Sequence, residues 1–216
     1  MILIPEIETV VVLVPRTGSS SLRRAVADAY PRSMLIYRHM EADGVPHGYD
    51  RWRKVGVVRH PTERLWSLYK FLRDFDGSHD PAYIKSMRSS VRMPFSDWLL
   101  SNQTPFTTPY DSAGLGRFFP NYTVRHPLPE NRKSQFMYLR PDLGTSIYQF
   151  TDLEEFGSAL GVQLGRHTRT SDDEAPELSF EAEAHMQRWF SWDFGAAQAQ
   201  ATNAELRGRP LADGPA

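Results

Sequence analysis

Residues 9–21 have the sequence TVVVLVPRTGSSS, in which a β-branched apolar run meets a turn rich in proline, glycine and serine. The run over residues 9–14 predicts a strand buried on both faces, as parallel sheets require. Apolar residues then recur at helical spacing and predict a helix over residues 20–30, with Ser19 or Ser20 near its cap. A strand, a turn and a helix in this order favour an α/β fold.

A second unit with the same order follows in the chain. Residues 54–59 (KVGVVR) predict a strand, residues 60–62 a turn, and residues 63–74 a helix capped by Thr62. Two more strands are predicted over residues 34–37 and 146–150, and helices over residues 81–88, 95–101, 134–139, 152–160 and 180–194. The pattern predicts a three-layer α/β fold: a central, mostly parallel sheet of four or five strands, flanked by helices.

Length and composition limit the alternatives. The chain has 216 residues, 40% of them hydrophobic, and no cysteine. We expect one domain over residues 1–195 and a flexible C-terminal tail over residues 196–216. Without cysteine there are no disulfides, thiolate metal sites or cysteine nucleophiles. No apolar run is long enough to cross a membrane, and the start of the sequence does not have the pattern of a signal peptide.

The charge is unevenly distributed. The formal net charge is −1, which does not favour a nucleic-acid partner. Residues 1–73 nevertheless carry 12 Lys and Arg against 7 Asp and Glu, so the excess of acidic residues lies in the rest of the chain. Such asymmetry favours a charged ligand at the basic part of the chain, although chance scatter is the alternative.

The turn over residues 15–21 has the features of an anion site. The N-terminus of a helix offers unpaired N–H groups and the positive end of the helix dipole. Gly18 lets the backbone approach a ligand closely, the serines after it offer hydroxyl donors, and Arg16 adds a forked cation. The turn is not a Walker A loop, because it lacks the lysine of that motif. An ordinary strand-to-helix connection is the alternative.

The turn after the second strand is similar in character. Arg59 ends that strand, and Ser67 lies two turns into the next helix. Open α/β sheets bind ligands at the carboxyl ends of their strands, so both residues could reach a second phosphate. Two anion sites on two such turns suit a ligand with a phosphate at each end. In the alternative interpretation, Arg59 is a surface cation and Ser67 has no role in binding.

Together the two turns resemble a known family. PRTGSSS (residues 15–21), followed about 40 residues later by RHPTERLWSLY (residues 59–69), is similar to the sulfotransferases that use 3′-phosphoadenosine 5′-phosphosulfate (PAPS). The second stretch most resembles the carbohydrate O-sulfotransferases, including the heparan sulfate 2-O-sulfotransferases. The resemblance is specific over residues 9–73 and loose over residues 134–194.

The resemblance implies a P-loop-like fold. It also implies transfer of a sulfuryl group from PAPS to an acceptor hydroxyl, with carbohydrate as the favoured acceptor. It implies that the 3′-phosphate is bound by Arg59 and Ser67. A polar loop with Arg166, His167 and Arg169 could cover the nucleotide, and a solvated polar loop is the equal alternative. The residues implied at the 5′-phosphosulfate are Arg16, Thr17, Gly18, Ser19, Ser20 and Ser21.

Arg16 departs from the family pattern, since the family usually has lysine at this position, in contact with the leaving phosphate. Arginine keeps the charge but cannot donate a proton. Arg16 remains a candidate catalytic residue through its charge, and the departure keeps a non-catalytic module that binds a nucleotide or a glycan as an alternative. A P-loop-type nucleotide-dependent phosphotransferase, which would require Mg²⁺, is the other alternative.

His39 is the candidate general base. Sulfuryl transfer to an alcohol needs a group that takes the hydroxyl proton, and histidine suits this work near neutral pH. His39 stands 20 residues before Arg59, the spacing at which the related carbohydrate enzymes place their base. His47 is the next candidate and Glu63 the third. A structural histidine is the alternative for His39, and His60 is expected to be structural.

The remaining expectations concern partners. No histidines or carboxylates have metal-ligand spacing, so we expect no metal. We expect no nucleic-acid partner and no membrane span, and the resemblance without a leader or anchor implies a cytoplasmic protein. The sequence does not indicate an oligomeric state. The residues that could contact an anionic sugar, or else form a solvated helix face, are Tyr83, Lys85, Arg88 and Arg92.

Overall fold

The computed structural model describes residues 1–37, 39–74, 91–101, 134–164, 174–191 and 193–194. The strands are β1 (Ile2–Ile4), β2 (Thr9–Val12), β3 (Met34–Leu35), β4 (Arg53–Val58) and β5 (Ser146–Gln149). The helices are α1 (Ser19–Ala29), α2 (Pro61–Asp74), α3 (Phe95–Leu100), α4 (Gln135–Leu139), α5 (Leu153–Leu160) and α6 (Phe180–Trp189). Within these ranges no helix has the length and apolar character needed to span a membrane.

The five strands form one mixed sheet in the order β3-β1-β2-β4-β5. β2 pairs with β4 in parallel, and β4 pairs with β5 in parallel. β1 is antiparallel to both of its neighbours, so β3 runs in the same direction as β2. The α/β class is therefore confirmed, and the carboxyl ends of β2, β3, β4 and β5 lie at one edge of the sheet.

β1 is a strand that the sequence did not predict. The apolar start of the chain divides into two strands because a short 3-10 turn at Pro5–Ile7 and a left-handed Glu8 (φ 45°) reverse its direction. β1 then pairs with β2 as a tight antiparallel neighbour, with Leu3 opposite Val10. β1 has only three residues, fewer than the roughly four to eight over which a strand pattern can be recognised in a sequence.

Helices cover both faces of the sheet, as the alternation of side chains along β2 and its extension requires. On one face Val11 and Leu13 pack with residues of α1 and α5. On the other face Val12 and Val14 pack with residues of α4. The helical residues in these two clusters include Leu22, Val26, Phe156 and Leu160 on the first face and Tyr138 and Leu139 on the second.

Gly56 lets α4 approach the sheet closely. A Cβ atom on Gly56 would lie 2.2 Å from Cδ2 of Leu139 and 3.1 Å from the carbonyl oxygen of Val12. Leu139 is fully buried at this position. The absence of a side chain at residue 56 therefore sets the distance between β4 and α4.

A separate cluster of buried residues joins α2, α3 and α6. Two predictions about these helices need correction. Thr62 is not a cap, because α2 begins one residue earlier at Pro61, where proline's fixed φ suits the first helical position. The closing helix is interrupted: α6 ends at Trp189, because Phe190 leaves the helical conformation with φ −121° and ψ 25°, and residues 191, 193 and 194 are helical again. The predicted helix over residues 81–88 and the tail over residues 196–216 lie outside the described residues.

Candidate functional site

The two predicted turns lie next to each other at the carboxyl edge of the sheet. The register pairs Val12 of β2 with Gly56 of β4, and Val58 of β4 with Gln149 of β5. The residues that follow these strands therefore leave the sheet side by side. Open α/β sheets place their ligand crevice at this edge.

The first turn contains two left-handed residues, Arg16 with φ 68° and Gly18 with φ 81°. Gly18 is the N-cap of α1 and has no side chain. The first N–H groups of α1 therefore have no side-chain cap. Thr17 is buried, and its hydroxyl donates to the carbonyl oxygen of Val14 at 3.0 Å. The Thr17 hydroxyl proton is thus used inside the turn, and Ser19, Ser20 and Ser21 are the hydroxyl residues that follow it.

Arg16 connects the first turn to α2. Its Nη2 donates to both the carbonyl oxygen and Oγ of Ser67, each at 3.0 Å. Its guanidinium carbon lies 4.6 Å from the centre of the Phe71 ring. The resemblance groups Ser67 with Arg59, whereas the structure joins Ser67 to Arg16. Arg16 therefore links the first turn to the helix that follows the second turn.

Arg59 is held by an acid and an aromatic ring. Its Nη2 lies 3.2 Å from Oε2 of Glu63, and its guanidinium carbon lies 4.6 Å from the centre of the Phe150 ring. Burial lowers the pKa of Arg59, and the Glu63 carboxylate opposes that shift. The other oxygen of Glu63 accepts a hydrogen bond from the N–H of Ala175 at 3.2 Å. Because both oxygens of Glu63 are engaged, the geometry does not favour it as a general base.

His39 lies at the same edge as the turns. Its Nδ1 is 3.0 Å from the carbonyl oxygen of Leu13, the residue that follows β2. A carbonyl oxygen only accepts, so Nδ1 carries the proton and Nε2 of the neutral ring carries the lone pair. His47 is exposed and lies on the segment that returns the chain to the amino end of β4. The structure thus brings His39, and not His47, to the edge where the turns lie.

His60 follows β4 and precedes α2. Its ring meets the Phe194 ring edge-on, with the centroids 5.3 Å apart. Burial lowers the pKa of His60, and Glu63 opposes that shift. The packing against Phe194 agrees with the structural role expected for His60.

A buried ion pair, which the sequence did not predict, joins Arg64 and Asp193. Nη1 of Arg64 lies 3.4 Å from Oδ2 of Asp193, and both side chains are almost completely buried. Burial lowers the pKa of Arg64 to about 10, and Asp193 opposes that shift. Burial likewise raises the pKa of Asp193, against the opposing effect of Arg64 and of donors from Ser134 and Gln135. One signal was available, because Arg64 occupies an apolar position of α2, four residues before Leu68.

The remaining predicted residues contribute no described geometry. Arg166 and Arg169 lie outside the described residues, as do Tyr83, Lys85 and Arg88. Arg92 is described and exposed. In the ranges that the structure covers, no group of three or more histidines or carboxylates is arranged to hold a metal ion.

Comparison of the chain with models of protein families, with curated proteins and with solved structures gave no match in any of the three. The function of the protein is therefore inferred from its sequence motifs and from the geometry at the sheet edge.

Proposed function

We propose that this protein is a PAPS-dependent sulfotransferase with a P-loop-like fold, which transfers a sulfuryl group to an acceptor hydroxyl, with carbohydrate as the favoured acceptor. The observation that carries the proposal is the hydrogen-bonded junction between Arg16 and Ser67. It joins the two motifs on which the family resemblance depends, at the edge of the sheet where α/β proteins bind ligands.

The residues at this edge fit a donor with a phosphate at each end. The turn around Gly18 and the serines at the start of α1 are suited to the 5′-phosphosulfate, because a helix N-terminus attracts anions. Arg59 is suited to the 3′-phosphate, and a phosphate there would compete with Glu63 for the guanidinium. PAPS supplies the activated sulfuryl group.

His39 takes the proton of the acceptor hydroxyl on Nε2. The Leu13 carbonyl keeps its hydrogen bond to Nδ1 whether the ring is neutral or protonated, so the ring holds one orientation through the proton transfer. Arg16 is permanently charged and stabilises negative charge that develops on the leaving phosphate. It acts by electrostatic preorganisation and not by donating a proton.

Calorimetric titration with 3′-phosphoadenosine 5′-phosphate (PAP), the desulfated product, tests the donor site. We expect metal-independent binding that is stronger than the binding of ADP, because only PAP has the 3′-phosphate. Arg59→Ala should weaken PAP binding by about 1.5–3 kcal/mol, the usual contribution of a hydrogen bond to a charged group. Arg53→Ala is the matched control, because Arg53 is an exposed arginine at the opposite end of the same strand.

The titration has two outcomes that would contradict the proposal. A preference for ATP that depends on Mg²⁺ would favour a phosphotransferase instead. Binding of neither nucleotide by the wild type would mean that the turns are structural connections.

Transfer to a panel of hydroxyl-bearing carbohydrates, with PAPS as donor, tests catalysis. We expect His39→Gln to lower kcat by about 10²–10⁴-fold, the usual contribution of a general base, while PAP affinity is retained. His47→Gln serves as the comparison and should leave kcat unchanged. If His47→Gln caused the loss instead, the assignment of the base would be wrong. If the wild type bound PAP but transferred to no acceptor, a non-catalytic binding module would be favoured.

A further inference from the structure

We infer that Arg64, Asp193, Ser134 and Gln135 form a positioning hub that holds the two turns at a fixed separation, and that the affinity for the donor depends on this hub although none of the four residues is placed in contact with it. The inference rests on the proposed function for its ligand. Its structural part, that the hub couples the two turns, stands on the described contacts alone.

The hub binds the backbone of the first turn through Arg64. Nε of Arg64 donates to the carbonyl oxygen of Pro15 at 3.2 Å. Pro15 directly precedes Arg16, the left-handed residue of the turn. A single buried guanidinium therefore bonds the backbone of the first turn through Nε and Asp193 through Nη1.

Asp193 accepts hydrogen bonds from the first residue of α4 and from the N-cap residue before it. Oδ1 accepts hydrogen bonds from the Ser134 hydroxyl and, at 2.9 Å, from the N–H of Gln135. Oδ2 accepts one from Nε2 of Gln135 at 3.2 Å and faces Arg64. These donors compensate for burying the carboxylate, which would otherwise be costly.

Gln135 carries the connection to the second turn. Its Oε1 accepts from the N–H of Arg59 at 2.9 Å, and its Nε2 donates to the carbonyl oxygen of Arg59 at 2.8 Å. The second donor of the same amide is used by Asp193. Rotating the amide by half a turn would place Oε1 against the carbonyl oxygen of Arg59 and Oδ2 of Asp193, which are both acceptors. The three bonds therefore fix the orientation of the amide. The Gln135 side chain therefore bonds both the N–H and the carbonyl oxygen of Arg59, as a neighbouring β-strand would.

The chain of contacts runs from Pro15 through Arg64, Asp193 and Gln135 to Arg59. Asp193 stands 129 residues beyond Arg64 in the sequence, so the hub anchors the C-terminal part of the chain beneath the site. A ligand with two phosphates needs Arg16 and Arg59 at the correct separation, and small displacements of binding groups lower its affinity strongly. This is the physical reason for expecting a buried ion pair to influence binding.

Asp193→Asn is the principal test. The amide keeps the size of the carboxylate, but its NH₂ group would face the donors of Arg64 or Gln135. We expect PAP affinity to fall by about 2- to 30-fold, the usual range for residues that act through others. In a double-mutant cycle, Arg59→Ala should cost less in the Asp193→Asn background than in the wild type. Asp142→Asn, which breaks an exposed ion pair with Arg140, is the matched control.

Amide hydrogen exchange provides a readout that needs no ligand. We expect exchange to become about tenfold or more faster in Asp193→Asn at Arg59 and at Ser21 and Leu22, whose N–H groups bond to Gln135 and to the carbonyl oxygen of Gly18, because local opening becomes easier. The control variant should leave both turns unchanged. If Asp193→Asn does not fold, the apolar pair Arg64→Met with Asp193→Leu replaces it, since buried ion pairs often tolerate such replacement.

The outcomes separate the two proposals. Unchanged exchange at both turns, or costs of Asp193→Asn and Arg59→Ala on PAP affinity that simply add, would overturn the hub. If the wild type did not bind PAP but exchange increased at both turns, the proposed function would fall and the structural coupling would stand.

Discussion

Arg16 reaches 51 residues along the chain to donate two hydrogen bonds to Ser67, and it does so from a backbone with φ 68°. The left-handed conformation costs a non-glycine residue about 1–2 kcal/mol. Such strain persists only where the surrounding contacts compensate for it, and it is common at ligand-binding sites. Here the compensating contacts are Ser67 and the Phe71 ring on α2. The side chain that joins the two motifs is therefore also the one that holds the strained turn.

The strain at residue 16 can be measured by comparing two truncations. Both Arg16→Ala and Arg16→Gly remove the bonds to Ser67, but only glycine adopts a positive φ without strain. We expect Arg16→Gly to have a free energy of unfolding about 1 kcal/mol greater than that of Arg16→Ala. Urea denaturation measures the difference.

Arg24 provides the control for this comparison, because it is exposed and lies in the middle of α1. There the order should reverse, with Arg24→Ala more stable than Arg24→Gly by about 0.5–1 kcal/mol, since glycine weakens the middle of a helix. Equal stability of the two Arg16 variants would mean that the backbone does not hold the left-handed conformation in solution.

The second prediction concerns Glu63 and depends on the proposed function. Its carboxylate occupies Arg59 and would repel a phosphate bound there. Glu63→Gln removes the negative charge, so PAP affinity should rise by about 2- to 5-fold, a change typical of one partly exposed ion pair. Calorimetry checks this, with Glu155→Gln as a control at an exposed acid on α5. A fall in affinity would show instead that Glu63 is needed to orient Arg59.

Much of the fold could be predicted because its signals are local. The runs that became β2 and β4, and the helices α1, α2 and α5, each carry their own periodicity and were placed within a few residues. β1 was missed because its pairing with β2 depends on a reversal at Glu8, a residue with no strong turn signal.

The candidate site was likewise predictable only in part: its motif residues could be predicted from the sequence, and the contacts between them could not. Residues that follow the strands, such as Arg16, Arg59 and His39, could be predicted as candidates from motifs and their spacing. The pairing of Arg16 with Ser67 could not, because it depends on which side-chain rotamer spans the gap between two elements. Asp193 could not be found either, since one acid among the aromatic residues near the C-terminus does not reveal that it meets Arg64. Long-range polar contacts of this kind follow from the packed structure rather than from local pattern.

Gly56 gives a prediction about packing that is independent of function. A Cβ at this position would overlap Cδ2 of Leu139 and crowd the carbonyl oxygen of Val12. We expect Gly56→Ala to lower the free energy of unfolding by about 1–3 kcal/mol, as overpacking does. Leu139→Ala alone should lower it by about 2–5 kcal/mol by leaving a cavity.

The double variant Gly56→Ala with Leu139→Ala identifies the cause. Because the second truncation removes the atom that the new methyl group meets, the combined loss should be smaller than the sum of the two single losses. Strictly additive losses would contradict the close contact between β4 and α4. Urea denaturation of the four proteins in parallel completes the cycle.

His60 gives the last prediction, on the pH dependence of stability. Burial against Phe194 lowers its pKa in the folded state below the ordinary value of 6.5. The unfolded chain then binds more protons than the folded one once the pH falls below about 6.5, so folding loses stability as the pH falls through the folded-state pKa. Above pH 6.5 the contribution is fully present. We therefore expect the advantage of the wild type over His60→Gln in free energy of unfolding to shrink between pH 7.5 and pH 5.

The ring of His60 is partly exposed, so solvent keeps this effect small, and it has to be read as a difference between variants at each pH. Phe194→Leu provides the second arm, because it opens the His60 ring to water and should flatten the pH dependence in the same direction as His60→Gln. Urea denaturation of the three proteins at both pH values measures it. A wild-type advantage that grows as the pH falls would mean that the Glu63 carboxylate, rather than burial, dominates the pKa of His60.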